Sequence, residues 1–479
     1  PDLNNFSPRL GLAYAPGWWG EPGATRLRVG YGHFNDQILG AVVSQSRNVF
    51  PTFLTVNTAG GFGNLLFPFV PLSLLNPSNP NLGLVQRGTL NLLDPNTSLA
   101  DHIANINLLA SAGGLLAGAS GVEATLPSRT QKAPEAHHYS LSFEQRFGRD
   151  TFFSVAYVGT QGSNLPRFST PNLGTNAVSL IRNLDIELQG PGRFQPQFFG
   201  IAIAPGTRIS RGDPAVPGGP GQEFIGGRPV PGVGGIQFFE TTGSSRYDAM
   251  QLELRGRLRG QLQYRVGYTL SKSVDDVSDV FDLAGSSAMP QNSLTFEGER
   301  AASNFDARHR FAFHAVYDFP RFADGAARLV FNNLQIAGTG QFQTGQPFTV
   351  NSIFDVNLDG NLTDRLNTTE GITVTGDRRQ PLRLTTTNLA SLRALVGEDG
   401  QVGRNTFRAG NFLDMNLAFI KSFRFSDAKT LIFRTEIFNF INRANFGIPV
   451  RYLEAPGFGQ ATSTITPGRR VQFQLKYSF

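Results

Sequence analysis

The segment Asp355-Val356-Asn357-Leu358-Asp359-Gly360-Asn361-Leu362-Thr363-Asp364 places side-chain oxygens at alternate positions with a glycine at the sixth, the D-x-N-x-D-G spacing of a calcium loop. A hard cation needs several oxygens converging on one point, and Gly360 would permit the sharp turn that brings them together. The twelfth position, where a bidentate acid belongs, is Leu366. Asp364 offers the missing charge from a displaced position, so Asp355, Asn357, Asp359 and Asp364 are the candidate ligands for Ca2+, with an Asx-rich turn in a solvated loop as the competing reading. No other cofactor is expected.

Other polar clusters point to less. Asp275, Asp276, Asp279 and Asp282 read as a solvated loop rather than a metal site. Arg211-Gly212-Asp213 matches an integrin-binding tripeptide, but in a Gly- and Arg-rich stretch chance explains it. His137-His138 has no further histidine nearby in sequence, which makes a zinc role weak. The sequence holds no G-x-S-x-G, H-E-x-x-H, Walker A or Gly-rich dinucleotide turn, and its six histidines do not pair with acids at useful spacing, so no enzyme is expected.

The elements that would position these residues are strands. Period-2 alternation recurs in segments of about ten residues, the length a tilted membrane strand needs. They run Arg9–Tyr14, Arg26–Phe34, His138–Phe147, Phe152–Gln161, Asp248–Arg255, Gln261–Ser271, Arg310–Phe319, Leu334–Thr344, Leu413–Phe425, Thr430–Phe440 and Arg470–Phe479. In the sixth, Leu262, Tyr264, Val266, Tyr268 and Leu270 share one face, and Gln263, Arg265, Gly267, Thr269 and Ser271 the other. The apolar faces carry aromatics at the strand ends, as interfacial girdles do. Connections alternate strictly, short ones of at most about ten residues and then long ones of roughly thirty to a hundred, the parity of an up-and-down membrane barrel. Within the long ones, helical pieces are expected near Ile38–Ser46 and Leu99–Leu116, and irregular chain over residues 190–235.

Composition agrees. Over 479 residues, charged side chains are 16% and aromatics 11%, with 41 Phe, 54 Gly and 29 Pro. That mixture suits a turn-rich β protein with a large apolar surface. The mean hydropathy is −0.16, and no run of about 18 apolar residues suggests a transmembrane helix. The absence of cysteine excludes disulfide scaffolds, thiolate metal sites and a cysteine nucleophile. The net charge of +6 comes from scattered basic residues rather than a stripe, so nucleic acid is not an expected partner. Eleven strands is an odd number where single-chain bacterial barrels have even ones, so more strands are expected upstream of Pro1.

Several segments, in order along nearly the whole chain, together resemble the TonB-dependent receptors of the Oar-like type, those with a carboxypeptidase-regulatory-like N-terminal domain. They are Asn5–Tyr14, Arg28–Phe34, Tyr157-Val-Gly-Thr-Gln-Gly162, Tyr247–Leu252, Tyr268–Asp276, Asn304-Phe-Asp-Ala-Arg-His-Arg-Phe311, Gly345-Gln-Pro-Phe348, Gly403-Arg-Asn-Thr-Phe-Arg408 and Phe433–Gly447. The resemblance implies an all-β, antiparallel transmembrane barrel of the bacterial outer membrane. Residues 1–479 would then be the C-terminal half, about eleven strands of 22, with long extracellular loops. It also implies an upstream plug domain, a regulatory-like domain and a TonB-binding segment. The implied function is import of a bulky nutrient (oligosaccharide, peptide or metal chelate) driven through TonB. A passive porin, or an adhesive or structural barrel, is the alternative.

Two sets of residues follow. Gln251, Glu253, Arg255, Arg265, Arg434 and Glu436 fall on the lumen face, where they suit either solute contacts or, the preferred reading, a polar network packed against a plug. Val471, Phe473, Leu475, Tyr477 and Phe479 form the lipid-facing row of the last strand. By resemblance they are also the signal read by the barrel-assembly machinery, with Phe479 as its final residue. Membrane lipid, the plug, TonB, that machinery and an unidentified nutrient are the expected partners.

Overall fold

A computed structural model describes residues 5–17, 20–37, 124–128, 131–171, 177–179, 200–202, 208–210, 223–225, 236–279, 289–293, 295–354, 356–357, 359, 361–395, 398–426 and 428–479. Thirteen strands form one sheet, and eleven of them lie side by side in chain order. These are β1 (Arg9–Tyr14), β2 (Thr25–Asn35), β3 (Glu135–Phe147), β4 (Thr151–Ser169), β5 (Ile236–Leu258), β6 (Leu262–Asp275), β7 (His309–Asp318), β8 (Leu334–Gln343), β9 (Phe412–Arg424), β10 (Thr430–Phe438) and β11 (Arg470–Ser478). Every neighbouring pair is antiparallel. All eleven alternating segments of the sequence are therefore strands, in up-and-down order.

The register carries the alternation across the sheet. Val29 pairs with Leu141, Leu141 with Tyr157, Tyr157 with Met250 and Met250 with Leu270. This continuous outward row is apolar because each strand shows the same parity to its neighbour. Residues of the outward face are exposed where a soluble sheet would bury them: Leu12 is 68%, Phe473 67% and Leu475 67% accessible. A wall of that kind is stable only in a hydrocarbon surround.

Turn chemistry fixes the tight end. Between β5 and β6 the chain reverses at Arg259 and Gly260, both with positive φ (51° and 70°), the consecutive left-handed pair that a short hairpin demands. The β3–β4 turn uses Gly148 at φ 61°. One connection at this end exceeds the expected length. Between β7 and β8 a short helix, Gly325–Phe331, packs Phe331 on Phe319 with ring centroids 5.1 Å apart.

Two strands also outrun their expected bounds. β4 and β5 remain paired from Thr151 and Gly256 to Ser169 and Phe238, with register shifts between Glu240 and Ser245. The added length, through Thr241-Thr242-Gly243-Ser244-Ser245, has no apolar alternation to announce it. It continues past the ~10 residues that cross a bilayer. The segment Ala124–Pro127 joins β5 in parallel.

Among the described residues β1 and β11 are paired on one side only, so the sheet stays open. The expected helices at Ile38–Ser46 and Leu99–Leu116 lie outside the described residues, as does most of 190–235. Within that stretch Gly200–Ala202 pairs with Ala177–Ser179, and Arg208–Ser210 with Glu223–Ile225.

Candidate functional site

A buried apolar cluster lies in the long connections at the far end of the sheet rather than in its wall. Phe348, Val350, Leu366, Leu382, Leu389, Leu392, Phe407, Leu453 and Phe458 form one cluster drawn from residues 345–411 and 448–458. Pro347–Phe348 pairs with Phe407–Arg408, and Ile372–Val374 with Leu382–Leu384. Two glycines show how closely the chain packs. A Cβ on Gly400 would sit 2.0 Å from the Arg365 carbonyl oxygen, and one on Gly459 (φ +74) 2.2 Å from that of Leu382. These two connections are thus a folded cap over the loop end of β6–β11.

A buried ionic knot ties the cap to the strands. Arg404 ion-pairs with Asp275 at the end of β6, and donates to the Asp275 carbonyl (2.7 Å), the Glu299 carbonyl (2.8 Å) and Ser278 Oγ (3.0 Å). Glu299 also accepts from Arg365 at 2.8 Å. Asp276 pairs with Arg167 of β4 at 2.9 Å, and the Arg167 guanidinium lies 4.4 Å over the Phe296 ring. Asp306 accepts from the Ser273 backbone N–H (2.8 Å) and from Arg408 (2.5 Å), while Asn405 donates to Asn304 Oδ1 (2.6 Å). Removing charges from water in this way is tolerable only because each carboxylate gains a cation or several donors.

The aspartate run expected to be solvated is therefore corrected. Asp275 is 4% accessible and Asp276 is ion-paired, because the cap folds over them. Asp279 lines a groove, and Asp282 lies outside the described residues. Arg211-Gly212-Asp213 is outside them too.

The groove has a volume of 770 Å³, within the usual range of ligand pockets. Gln341 and Gln343 of β8, with Phe412 of β9, supply its wall; these three lie on the lumen parity, opposite the row of Phe342 and Leu413. Gln346, Phe305, Phe446, Ile448 and Ile465 supply its cap side. Amide side chains set among aromatic and aliphatic ones can hold a large, partly polar solute.

Further down the lumen wall the residues singled out in the sequence meet each other. Arg26 reaches Glu144 (3.3 Å), Glu144 reaches Arg255 (3.0 Å), Arg255 reaches Glu253 (3.5 Å), and Glu253 reaches Arg265 (2.6 Å). This zigzag of alternating charge spans β2 to β6. Arg434 and Glu436 form a separate pair at 2.5 Å. Gln251 faces the same side, opposite Ala156 and Thr269.

In the calcium-like segment Asp355 lies outside the described residues. The remaining oxygens accept from nearby N–H groups: Asp359 from the Asn361 backbone (2.8 Å) and side chain (2.9 Å), Asn357 from the Asp359 backbone (3.1 Å), and Asp364 from the backbones of Val356 and Asn357 (both 3.1 Å). Burial pushes the Asp359 carboxyl up to about 6, with Asp399 adding to the rise and donors from Asn361 opposing it. Burial likewise raises Glu454, which faces Arg393 at 3.8 Å.

Val471, Phe473, Leu475 and Tyr477 share the outward face of β11, and Phe479, 91% accessible, stacks on Tyr477 at 5.6 Å. His137 and His138, being consecutive on β3, point to opposite faces. His138 meets Thr160 on the lumen side (2.9 Å), and His137 lies outward beside His33 and Glu135. Sequence reasoning missed Arg404, Glu299 and Arg365 as site-builders. Arg404 and Asn405 nevertheless sit in one of the quoted segments, and three of those segments (around Asp275, Asn304 and Arg404) converge on this knot.

A family model described as an outer membrane beta barrel domain matches residues 1–472. A search of curated proteins finds no match. Among solved structures the chain is similar to the outer membrane transporter YddB from Escherichia coli, with 9% identity, TM-score 0.40, and coverage of 95% of this chain and 38% of that one. It is also similar to the ferric enterobactin receptor PfeA from Pseudomonas aeruginosa, with 10% identity, TM-score 0.42, and coverage of 98% and 40%. A third is the ferric-catecholate import receptor Fiu from E. coli K12, with 8% identity, TM-score 0.37, and coverage of 98% and 34%. The chain thus spans no more than two fifths of the length of these three proteins.

Proposed function

The chain belongs to the outer membrane beta barrel domain family of the bacterial outer membrane, and on that premise we propose that it forms part of the wall and loop cap of a TonB-dependent transporter of the Oar-like type. The observation that carries this reading is the open sheet. Among the described residues eleven strands run in order without their edges meeting, and an open edge in lipid would cost several kcal/mol for each unpaired backbone group. Closure therefore calls for further strands and a barrel wider than eleven. Barrels of about 22 strands enclose a lumen that is filled by a plug.

The charge zigzag from Arg26 to Arg265 then faces that plug, and the groove beneath the cap receives the nutrient. Its mixture of Gln, Phe and Ile lining suits an oligosaccharide, a peptide or a metal chelate. TonB would act through the plug, and the barrel-assembly machinery would insert the wall.

The test uses the full-length protein in proteoliposomes. Binding of TonB that increases when ligand is added, with no steady conductance, supports the transporter. A constant open-channel conductance without TonB binding overturns it in favour of a porin. Neither conductance nor TonB binding would leave an adhesive or structural barrel.

A further inference from the structure

Two histidines far apart in sequence become cross-strand partners on the outward face of the sheet. His33 of β2 pairs directly with His137 of β3, and Glu135 lies two residues before His137, hence on the same face. The His33 and His137 rings stack at 4.5 Å and 7°, and His33 Nε2 lies 3.2 Å from Glu135 Oε2. One ligand atom from each of the three residues lies within 4.8 Å of the other two. Among the described residues no other group of histidine and acid side chains meets that condition.

We propose that His33, His137 and Glu135 form a binding site for one divalent transition-metal ion of the zinc, copper or nickel class. Two imidazoles and one carboxylate are a donor set that such ions accept, with a fourth position left for water. Ligands about 2.1 Å from a tetrahedral ion stand about 3.4 Å apart, so binding requires the three atoms to draw closer and the two stacked rings to turn out of parallel.

The surroundings hold two of the three ligands, Glu135 and His137, by their other atoms. Glu135 Oε1 accepts from Ser163 Oγ (2.9 Å) and Asn164 Nδ2 (3.0 Å), which leaves Oε2 directed at His33. His137 Nδ1 lies 2.9 Å from the Tyr31 hydroxyl. With Nδ1–H donating to that oxygen, Nε2 is the nitrogen left with a lone pair for a metal. Supporting contacts of this kind fix the tautomer and orientation of metal ligands.

The site is placed to act on the loop. His33 and Glu135 are partly accessible (17% and 31% of the side chain), and just beyond them the Asp36 backbone donates to the Pro134 carbonyl at 2.8 Å. A bound ion clamps β2 to β3 where the connection of residues 36–134 leaves the sheet. The outward row below, Tyr31 and Tyr139 and then Val29 and Leu141, marks where lipid contact begins.

Zinc alone is the probe. Untagged full-length protein in detergent, titrated with Zn2+ by calorimetry, is expected to bind one ion per chain at this site with micromolar affinity. H33A and H137A should each weaken that binding at least tenfold. E135Q, which keeps the shape, should do the same, and Y31F should weaken it roughly tenfold through the lost orienting contact. H138A, one residue away on the opposite face, should bind as wild type. Co2+ in place of zinc should give d–d absorption that disappears in H33A. Heat-modifiable migration of each variant checks that the barrel is intact. The proposal is overturned if wild type binds no zinc at 100-fold molar excess, if H33A and H137A bind as wild type, or if Mg2+ competes equally.

Discussion

Replacing Arg404 with Met should open the loop cap while leaving the strands of the wall paired. The Arg404 side chain is 7% accessible and the Asp275 side chain opposite it 6%. In its absence the Asp275 carboxylate keeps only the Ser278 hydroxyl (3.0 Å), and two buried carbonyls, of Asp275 and Glu299, lose a donor. Glu299 retains Arg365 and the Gln291 backbone N–H, so a single carboxylate is stranded rather than two. Breaking a buried pair from one side costs about 3–5 kcal/mol, and the retained contacts place R404M near the lower figure. At about 1.4 kcal/mol per tenfold, that is roughly a hundredfold rise in the population of the open cap.

Hydrogen exchange reads it directly, at amides closed only when the cap is folded: Asn405, which donates to Thr349 Oγ1, and Ala409, which donates to the Gln346 carbonyl. R408M serves as the internal standard. Arg408 is 40% accessible and Asp306 keeps the Ser273 donor, so its loss should cost about 1 kcal/mol. Adding D275L to R404M should recover most of the protection, because an apolar pair of similar size carries no stranded charge. Exchange in R404M within threefold of wild type, or no recovery in the double variant, would refute the account of the knot.

Three further outcomes are expected. With the Asp359 carboxyl at about 6 in the folded cap against 3.8 unfolded, the folded state holds the proton more tightly, so cap stability falls as pH rises from about 4 to about 6 and then levels. D359N should remove that slope and stabilise the cap at pH 7 by up to about 3 kcal/mol, read by exchange across pH. If millimolar calcium instead protects wild type and not D359N, the segment is a cation site. F473K, on the lipid face of β11, should destabilise the barrel by about 2–4 kcal/mol in denaturant unfolding from vesicles, whereas Q474K on the lumen face should change it little. Deleting Phe479 from the full-length protein should lower its level in the outer membrane, and unchanged surface labelling would show that the terminal aromatic is not part of the assembly signal.

What could be read from the sequence, and what could not, divides along the origin of each constraint. The strands were legible because lipid and lumen impose opposite requirements on alternate residues, so Leu262 to Ser271 announces its two faces with no knowledge of its neighbours. The extension of β4 and β5 past the bilayer was not, since it lies beyond lipid and its buried positions include polar residues such as Arg167, Ser169 and Thr241, which show no apolar alternation. The cap failed for a related reason. Phe348, Leu366, Leu392 and Leu453 are apolar without a period, and only the tertiary path brings them together.

The polar residues show the limit most sharply. Asp275 and Asp276 look like a solvated run because a single sequence displays charges but not the cations that will cover them. Those cations, Arg404 and Arg167, lie over a hundred residues away in either direction along the chain. The same blindness hid His33 from His137. Local spacing can reveal a site only when one element supplies most of its ligands. In an up-and-down barrel any pair of adjacent strands joined by a long loop brings distant residues side by side. Sites of this second kind therefore need the register, and His33, Glu135 and His137 became visible as a set only once β2 was paired with β3.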